Sequence, residues 1–221
     1  MTRLIDVEPR RALGTSRRAL TGRVALGGSA SAGFESSLER DWIEQLDFLP
    51  EVVALQVQPF TLKYDLDGRS RKYTPDVAAV WAPGDGSQET VIYEVKPAAD
   101  LRAEWAIFRP RFAAATRYCR QQGWRFKVVN EKHIRGPRLA AIRFLRRYMR
   151  LPADRDIQQE LVTSLRTIGP TTVGALLTAT YWSPDNRAVA LPYLWKLIAE
   201  HVVEAPLDRP LTMSTPIRFR G

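Results

Sequence analysis

The sequence predicts an α/β fold followed by a smaller helical domain. Strand-like segments alternate with helical segments up to about residue 130, which is typical of a sheet flanked by helices. From residue 154 the pattern changes to three short helical stretches and a Pro-rich segment with hairpin signals. Three short helices and a hairpin favour a winged helix-turn-helix. We therefore predict a basic arm at 1–32, a first domain at 33–135, an Arg-rich connecting helix at 136–153 and a C-terminal domain at 154–221.

Composition narrows the class of protein. The chain has 221 residues, 45% of them hydrophobic, with six Trp, seven Tyr and eight Phe, enough for a folded core. Its 33 basic and 24 acidic residues give a net charge of +9, which favours nucleic acid as a partner over an anionic membrane or a merely solvated surface. A single cysteine, Cys119, excludes an internal disulfide and fits a reducing compartment. We expect a cytoplasmic protein without a secretory signal or membrane span.

The N-terminal residues split into a basic arm and a first helix. Six arginines and no apolar periodicity in residues 1–32 predict a mobile arm, either a disordered tail or a phosphate-contacting segment. Residues 33–46 have helical period, with an apolar arc that also contains Glu35 and Glu39. A carboxylate directed towards a core is unfavourable unless a donor or a metal ion satisfies it. The residues alone do not decide between those two partners.

Two hairpins follow the first strand, predicted at 52–59. The first joins 60–64 to 71–74 through an Asp-Leu-Asp-Gly turn, and its tip carries Arg69, Arg71 and Lys72, which either are solvated edge charges or hold a DNA backbone. The second turns at Pro83-Gly84-Asp85-Gly86-Ser87. A hairpin centred there brings the start of one strand beside the end of the next. Asp76, Glu94 and Lys96 then converge on one edge of a sheet.

The rest of the chain is predominantly helical. Residues 101–122 predict a helix with a break or kink at Pro110, and a core stripe of Trp105, Phe108, Phe112, Ala115 and Cys119. A strand is predicted at 124–129. Arg138 belongs to an Arg-rich helix at 138–150, whose charges form either a solvated or a DNA-binding face. In the C-terminal domain we predict helices at 157–168, with Asp154 as its cap, at 173–180 and at 188–203, with a break at Pro192. Lys196 on the third helix is a candidate DNA contact, and residues 205–217 suggest a hairpin.

Two carboxylates and an ammonium together favour a hydrated-cation site for phosphate chemistry. Mg²⁺ prefers oxygen ligands and keeps several waters, so a few protein ligands and a substrate phosphate suffice. Asp76, Glu94 and the carbonyl of Val95 can supply them, with Glu39 as a further ligand, and we expect Mn²⁺ to substitute. Lys96 can orient or deprotonate the attacking water or stabilise charge on the phosphorane.

Several motifs resemble the TnsA endonuclease subunit of heteromeric cut-and-paste transposases. They are Phe34-Glu35-Ser36-Ser37-Leu38-Glu39-Arg40-Asp41, Pro50-Glu51-Val52-Val53, Gln58-Pro59, Tyr73-Thr74-Pro75-Asp76 and Glu94-Val95-Lys96-Pro97-Ala98. The resemblance covers roughly residues 22–205. It implies a restriction-endonuclease-like mixed sheet of the PD-(D/E)xK superfamily and a winged-helix-like C-terminal domain. By motif position it implies a catalytic set of Glu39, Asp76, Glu94 and Lys96, and it selects Glu39 over Glu35.

The same resemblance implies a function and partners. It implies a Mg²⁺-dependent endonuclease that nicks the 5′ strand at transposon ends in double-stranded DNA, with a TnsB-like integrase-type transposase and a TnsC-like ATPase regulator. A stand-alone restriction or repair nuclease is one alternative. A non-catalytic DNA-binding adaptor is another, although intact Asp76, Glu94 and Lys96 argue against it.

Overall fold

A computed structural model describes residues 3–9 and 36–220 of the chain, which divides into two compact units. The first unit ends at Ile134 and the second begins at Arg135. In chain order the first contains β1 (Arg3–Pro9), α1 (Ser37–Phe48), β2 (Val52–Val57), β3 (Phe60–Leu66), β4 (Arg69–Tyr73), β5 (Val77–Trp81), β6 (Glu89–Val95), α2 (Ala98–Ala103), α3 (Trp105–Gln121), β7 (Arg125–Val129) and α4 (Glu131–Ile134). The second contains α5 (Pro137–Met149), α6 (Arg155–Ile168), β8 (Thr171–Thr172), α7 (Val173–Thr180), α8 (Pro184–Ala199), β9 (Val203–Glu204) and β10 (Pro216–Phe219). Helix α5, expected as a connector, thus belongs to the second unit.

The central sheet of the first unit is mixed and covered on both faces. Its strand order is β2-β5-β6-β7, with β6 and β7 parallel and the other pairs antiparallel. Successive residues of β5 alternate between two cores, since Val77 and Ala79 pack in the cluster of Leu46 from α1, and Ala78 packs in the cluster of Phe112 from α3. This alternation is the period of two that a strand buried on both faces produces. The predicted α/β architecture is confirmed, and it fits a restriction-endonuclease-like fold.

A second sheet of the first unit corrects the prediction of an N-terminal arm. Its order is β1-β3-β4, and β1 pairs antiparallel with β3 from Arg3 opposite Asp65 to Pro9 opposite Phe60. Residues 3–9 therefore form a strand, because β3 offers its free backbone groups along one edge. The rest of the predicted arm, residues 10–32, lies outside the described residues, as does Glu35. The predicted turn between β3 and β4 is confirmed, with positive φ at both Asp67 (53°) and Gly68 (75°).

Of the predicted break or kink at Pro110, the break is wrong. The chain breaks instead at Glu104, between α2 and α3, and α3 continues through Pro110. The hydrogen bond that Pro110 cannot donate would end at the carbonyl of Ala106, an exposed residue where water can replace the donor. Four members of the predicted core stripe are buried, but Trp105 is 52% exposed. It lies in the first turn of α3.

The second unit packs four helices with a small sheet of order β8-β10-β9. The predicted cap of α6 is confirmed, since the amide of Ile157 donates to Asp154 Oδ1 at 3.2 Å. The predicted break at Pro192 is wrong, because α8 continues through it, and the freed carbonyl belongs to exposed Ala188.

The predicted hairpin at 205–217 is also wrong. Strand β10 pairs with β8 and β9 instead, since prolines in the preceding segment remove amide donors that a hairpin needs. The winged-helix assignment stays a prediction. Among residues 3–9 and 36–220, no helix is long and apolar enough to cross a membrane.

Candidate active site

The ladder between β5 and β6 places Asp76 beside Glu94. Val77 lies opposite Tyr93 in the register of the two strands, so the residue before Val77 faces the residue after Tyr93. The Asp76 amide donates to the Tyr93 carbonyl at 3.1 Å, and Asp76 Oδ2 accepts from the Val95 amide at 2.7 Å. Main-chain hydrogen bonds therefore hold both the backbone and the side chain of Asp76, and the predicted juxtaposition with Glu94 is present.

Glu94 is a buried carboxylate with a different partner at each oxygen. Its residue is 2% exposed. The Tyr73 hydroxyl donates to Oε2 at 2.6 Å, and Lys96 Nζ lies 3.5 Å from Oε1. Burial, and then the charge of Asp76, raise the pKa of Glu94 to about 7 against the partly opposing effects of its hydrogen-bond and cationic neighbours. The two carboxylates thus lie close together in an environment that disfavours the ionised form of Glu94.

Lys96 remains an ammonium group in this setting. Burial alone lowers the pKa of Lys96, but Asp76, Glu94 and Glu39 each raise it, and the net shift is upward. The backbone amide of Lys96 donates to the Val129 carbonyl at 3.0 Å, which anchors the residue just beyond the end of β6. Its side chain therefore presents a positive charge to the carboxylates.

Glu39 lies in the first turn of α1 and is 7% exposed. Ser36 caps the helix by accepting from the Glu39 amide at 3.2 Å, and the Ser36 hydroxyl donates back to Glu39 Oε1 at 3.2 Å. This reciprocal arrangement is a variant of the capping box. The charge of Glu39 also raises the pKa of Lys96, so the helix carboxylate acts electrostatically on the same site.

The fit to a divalent cation rests on two carboxylates. Within the part of the chain that the structure describes, no three or more His, Cys, Asp or Glu side chains gather closely enough to hold a metal ion. Mg²⁺ commonly binds through one or two carboxylates and completes its shell with waters and substrate phosphate. Asp76 and Glu94 meet that requirement, and the mutual repulsion that helps raise the pKa of Glu94 is one that a divalent cation relieves.

Two side chains next to Glu94 were not among the predicted site residues. Tyr73, the last residue of β4, is one; it precedes Asp76 in a motif that the sequence already singled out. Arg111 of α3 is the other. Its Cζ lies 4.2 Å from the ring centroid of Phe108 and 5.9 Å from that of Tyr73, and its positive charge acts against the rise in the pKa of Glu94. Nothing in the sequence distinguishes Arg111 from the other arginines of α3, since its position follows from how the helix packs.

The predicted DNA-binding residues separate into exposed and buried groups. Arg69, Arg71 and Lys72 of β4 are exposed, as is Arg138 of α5. The prediction that Lys196 contacts DNA is wrong, because this residue is 5% exposed and lies in the core of the second unit. Its Nζ donates to the Met149 carbonyl at 3.2 Å and lies 2.8 Å from Glu200 Oε1. This ammonium is satisfied inside the protein and is not available to contact DNA.

Comparison with known families gives a match, which covers part of the first unit. Residues 49–131 match the family model described as TnsA-like endonuclease N terminal. The matched segment contains Asp76, Glu94, Val95 and Lys96, and Glu39 lies before it. No curated protein matches the chain. Residues 49–131 are therefore similar to the N-terminal domain of TnsA-like endonucleases.

Proposed function

We propose that this protein is a metal-dependent DNA endonuclease that nicks the 5′ strand at transposon ends, working with a separate transposase subunit. The observation that carries the proposal is the pair of carboxylates, Asp76 and Glu94, held at the meeting point of β5 and β6 with the Lys96 ammonium beside them. A buried Glu94 beside a partly buried Asp76 is poorly explained by stability, because burying charge is unfavourable. The match to the TnsA-like family supports the reaction class.

In this proposal Asp76, Glu94 and the Val95 carbonyl hold Mg²⁺, or Mn²⁺ in its place. The bound ion supplies Lewis acidity at the phosphoryl oxygen and lowers the pKa of the attacking water. Asp76 contributes a ligand whose position is already defined, since the Val95 amide orients its side chain. Glu94 contributes the second carboxylate from the adjacent strand.

We assign Lys96 to charge stabilisation. A general base must be neutral before it accepts a proton, whereas in the metal-free protein the carboxylates around Lys96 raise its pKa. A fixed ammonium at this position stabilises the negative charge that develops on the pentavalent phosphorus. Glu39 completes the proposed catalytic set by acting on Lys96 through its charge, and not as the predicted further ligand, since it does not gather with Asp76 and Glu94 into one metal-binding group.

The exposed cations of β4 give a path for DNA to the site. Arg69, Arg71 and Lys72 are exposed on the strand whose last residue, Tyr73, contacts Glu94. At about 3.4 Å per residue, Arg71 lies about 7 Å along the strand from Tyr73. These side chains can neutralise phosphates flanking the cut, and Arg138 of the second unit is a further candidate. A TnsB-like transposase and a TnsC-like ATPase regulator are the partners that the family suggests.

The test is a nicking assay on a duplex that contains a transposon end, with and without the companion transposase. We expect Asp76→Asn to lower the nicking rate at least about 100-fold while duplex binding is retained. Asn keeps an oxygen that can accept from the Val95 amide, so the fold is preserved. Asp85→Asn, in the exposed turn of the same hairpin, is the matched control and should nick normally.

The outcomes of this assay separate the alternatives. Nicking by Asp76→Asn at the wild-type rate contradicts the proposal. Cutting of unrelated linear DNA without any partner identifies a stand-alone nuclease. Absence of both nicking and Mg²⁺ or Mn²⁺ binding in calorimetry identifies a non-catalytic adaptor.

A further inference from the structure

One side chain outside the proposed catalytic set contacts it directly. Tyr73 ends β4 in the small sheet, where it lies opposite Leu62 of β3, and its hydroxyl donates at 2.6 Å to Glu94 Oε2 in the central sheet. The two residues are 21 positions apart in the chain. This hydrogen bond therefore joins the two sheets of the first unit at the candidate active site.

The aromatic ring of Tyr73 is held in place by α3. Tyr73 is 6% exposed. Its ring meets that of Phe112 edge-on at 6.2 Å between centroids, and the Arg111 guanidinium lies 5.9 Å from its centroid. Arg111 in turn stacks on Phe108 at 4.2 Å. A ring packed in this way delivers its hydroxyl to a defined point rather than to a range of positions.

The fixed Tyr73 hydroxyl determines the orientation of the Glu94 carboxylate. The terminal torsion of a glutamate is broad and roughly two-fold, so a carboxylate without a fixed partner samples several orientations. Here Oε2 is engaged by Tyr73, and Oε1 lies 3.5 Å from Lys96 Nζ. The hydroxyl thus assigns the oxygens different roles, with Oε2 as the anchor and Oε1 on the side of the cationic group.

We propose that Tyr73 is a positioning residue that orients the Glu94 carboxylate so that Oε1 faces Lys96 and the divalent cation. The inference rests on the proposed function, since it requires that Glu94 bind a cation. A hydrogen bond that serves only to satisfy a buried carboxylate would support the fold without setting cation affinity. Those two roles make different predictions for a variant that lacks only the hydroxyl.

The experiment compares full-length wild type, Tyr73→Phe and a matched control in Mn²⁺ binding by calorimetry and in nicking. Tyr64→Phe is the control, because Tyr64 is also a buried tyrosine of the small sheet, 5% exposed, in the neighbouring strand. We expect Tyr73→Phe to weaken Mn²⁺ binding about 10- to 100-fold, the usual effect of losing a group that orients a ligand. Tyr64→Phe should bind Mn²⁺ like the wild type.

Two further measurements distinguish positioning from a general structural role. High Mn²⁺ should restore most of the nicking rate of Tyr73→Phe, and duplex affinity should be unchanged. In a Glu94→Gln background, adding Tyr73→Phe should produce no further loss of Mn²⁺ affinity, because the oriented carboxylate is already absent. This double variant tests the coupling by binding alone, even where activity is lost.

The outcomes separate this inference from the proposed function. Wild-type protein that binds Mn²⁺ and nicks, together with a Tyr73→Phe variant of unchanged Mn²⁺ affinity, overturns the role of Tyr73 and leaves the nuclease assignment standing. Wild-type protein that neither binds Mn²⁺ nor nicks overturns both. Equal weakening in Tyr73→Phe and Tyr64→Phe attributes the loss to packing and also overturns the inference.

Discussion

The metal-free protein should become less stable as the pH rises, and Glu94 should be the cause. Burial and then Asp76 raise the pKa of Glu94 from 4.5 to about 7. Between those values the folded state keeps a proton that the unfolded chain has released. The stability contribution of this proton is complete below the unfolded pKa, falls through the window and is lost above the folded pKa. Each pKa unit corresponds to about 1.4 kcal/mol, so the wild type should lose about 3 kcal/mol across the window.

Glu94→Gln tests this directly, because it has the same shape and does not titrate. Its amide oxygen can still accept from the Tyr73 hydroxyl, which keeps the contact at Oε2. We expect the variant to lack this part of the pH dependence and to be more stable than the wild type by about 3 kcal/mol at pH 8. The proposed active site would then be a place where function opposes stability.

The measurement is urea denaturation followed by tryptophan fluorescence at several pH values, in EDTA. The whole chain is used, and the second unit contributes equally to wild type and variant, so their difference reports on the first unit. Glu89→Gln at the other end of β6 controls for loss of one negative charge, since its ion pair with Arg125 is exposed and contributes little. Parallel pH profiles for wild type and Glu94→Gln would refute the reasoning.

Three further predictions concern the folded units. Gln45 Nε2 donates to the carbonyl of Ile134 at 2.6 Å, so Gln45→Leu should leave a buried acceptor unpaired and lower the free energy of unfolding by about 1–3 kcal/mol; an unchanged urea midpoint would contradict this. Cys119 is 0% exposed, and burial raises its pKa to about 12. A thiol reagent should therefore label it only after denaturation. Rapid labelling of the native protein would show that this residue is not buried. Asp154→Ala removes the cap of α6 and should lower the free energy of unfolding by about 1 kcal/mol. Asp156→Ala in the same first turn should have a smaller effect. Equal melting temperatures for the two variants would argue against the cap.

Sequence reasoning succeeded where local signals and tertiary structure agree. The hairpin of β5 and β6 is bounded by turn residues and built from apolar runs, so the pairing of these strands and the approach of Asp76 to Glu94 can be predicted from the sequence, whereas the turn does not determine the exact register. The cap at Asp154 is likewise a local feature. Each of these depends on residues close in sequence, which is where propensity and pattern are most informative.

The predictions that were wrong concern features that depend on contacts between residues distant in the sequence or on packing. Pro110 and Pro192 lie within helices because packing elsewhere along α3 and α8 outweighs one lost hydrogen bond. Strand β1 finds its partner more than 50 residues away, beyond any local pattern. A lysine in a helical pattern is predicted to be a surface cation. Lys196 is instead buried, because the Glu200 carboxylate one turn later and the backbone carbonyl of Met149 satisfy its ammonium group.

The alignment of β5 with β6 also makes the proposed nicking activity a reporter of sheet register. Sliding β6 by a single residue would turn Glu94 and Lys96 to the opposite face and put Asp76 against a different amide. The connection of residues 82–88 is too long to determine the alignment by turn geometry alone, so the parallel pairing with β7 and the cores on both faces must do so. A protein with a misaligned sheet could keep its helices and much of its compactness and still lack the proposed activity. Recovery of nicking after refolding would then mark correct strand alignment, an event that overall helix content does not detect.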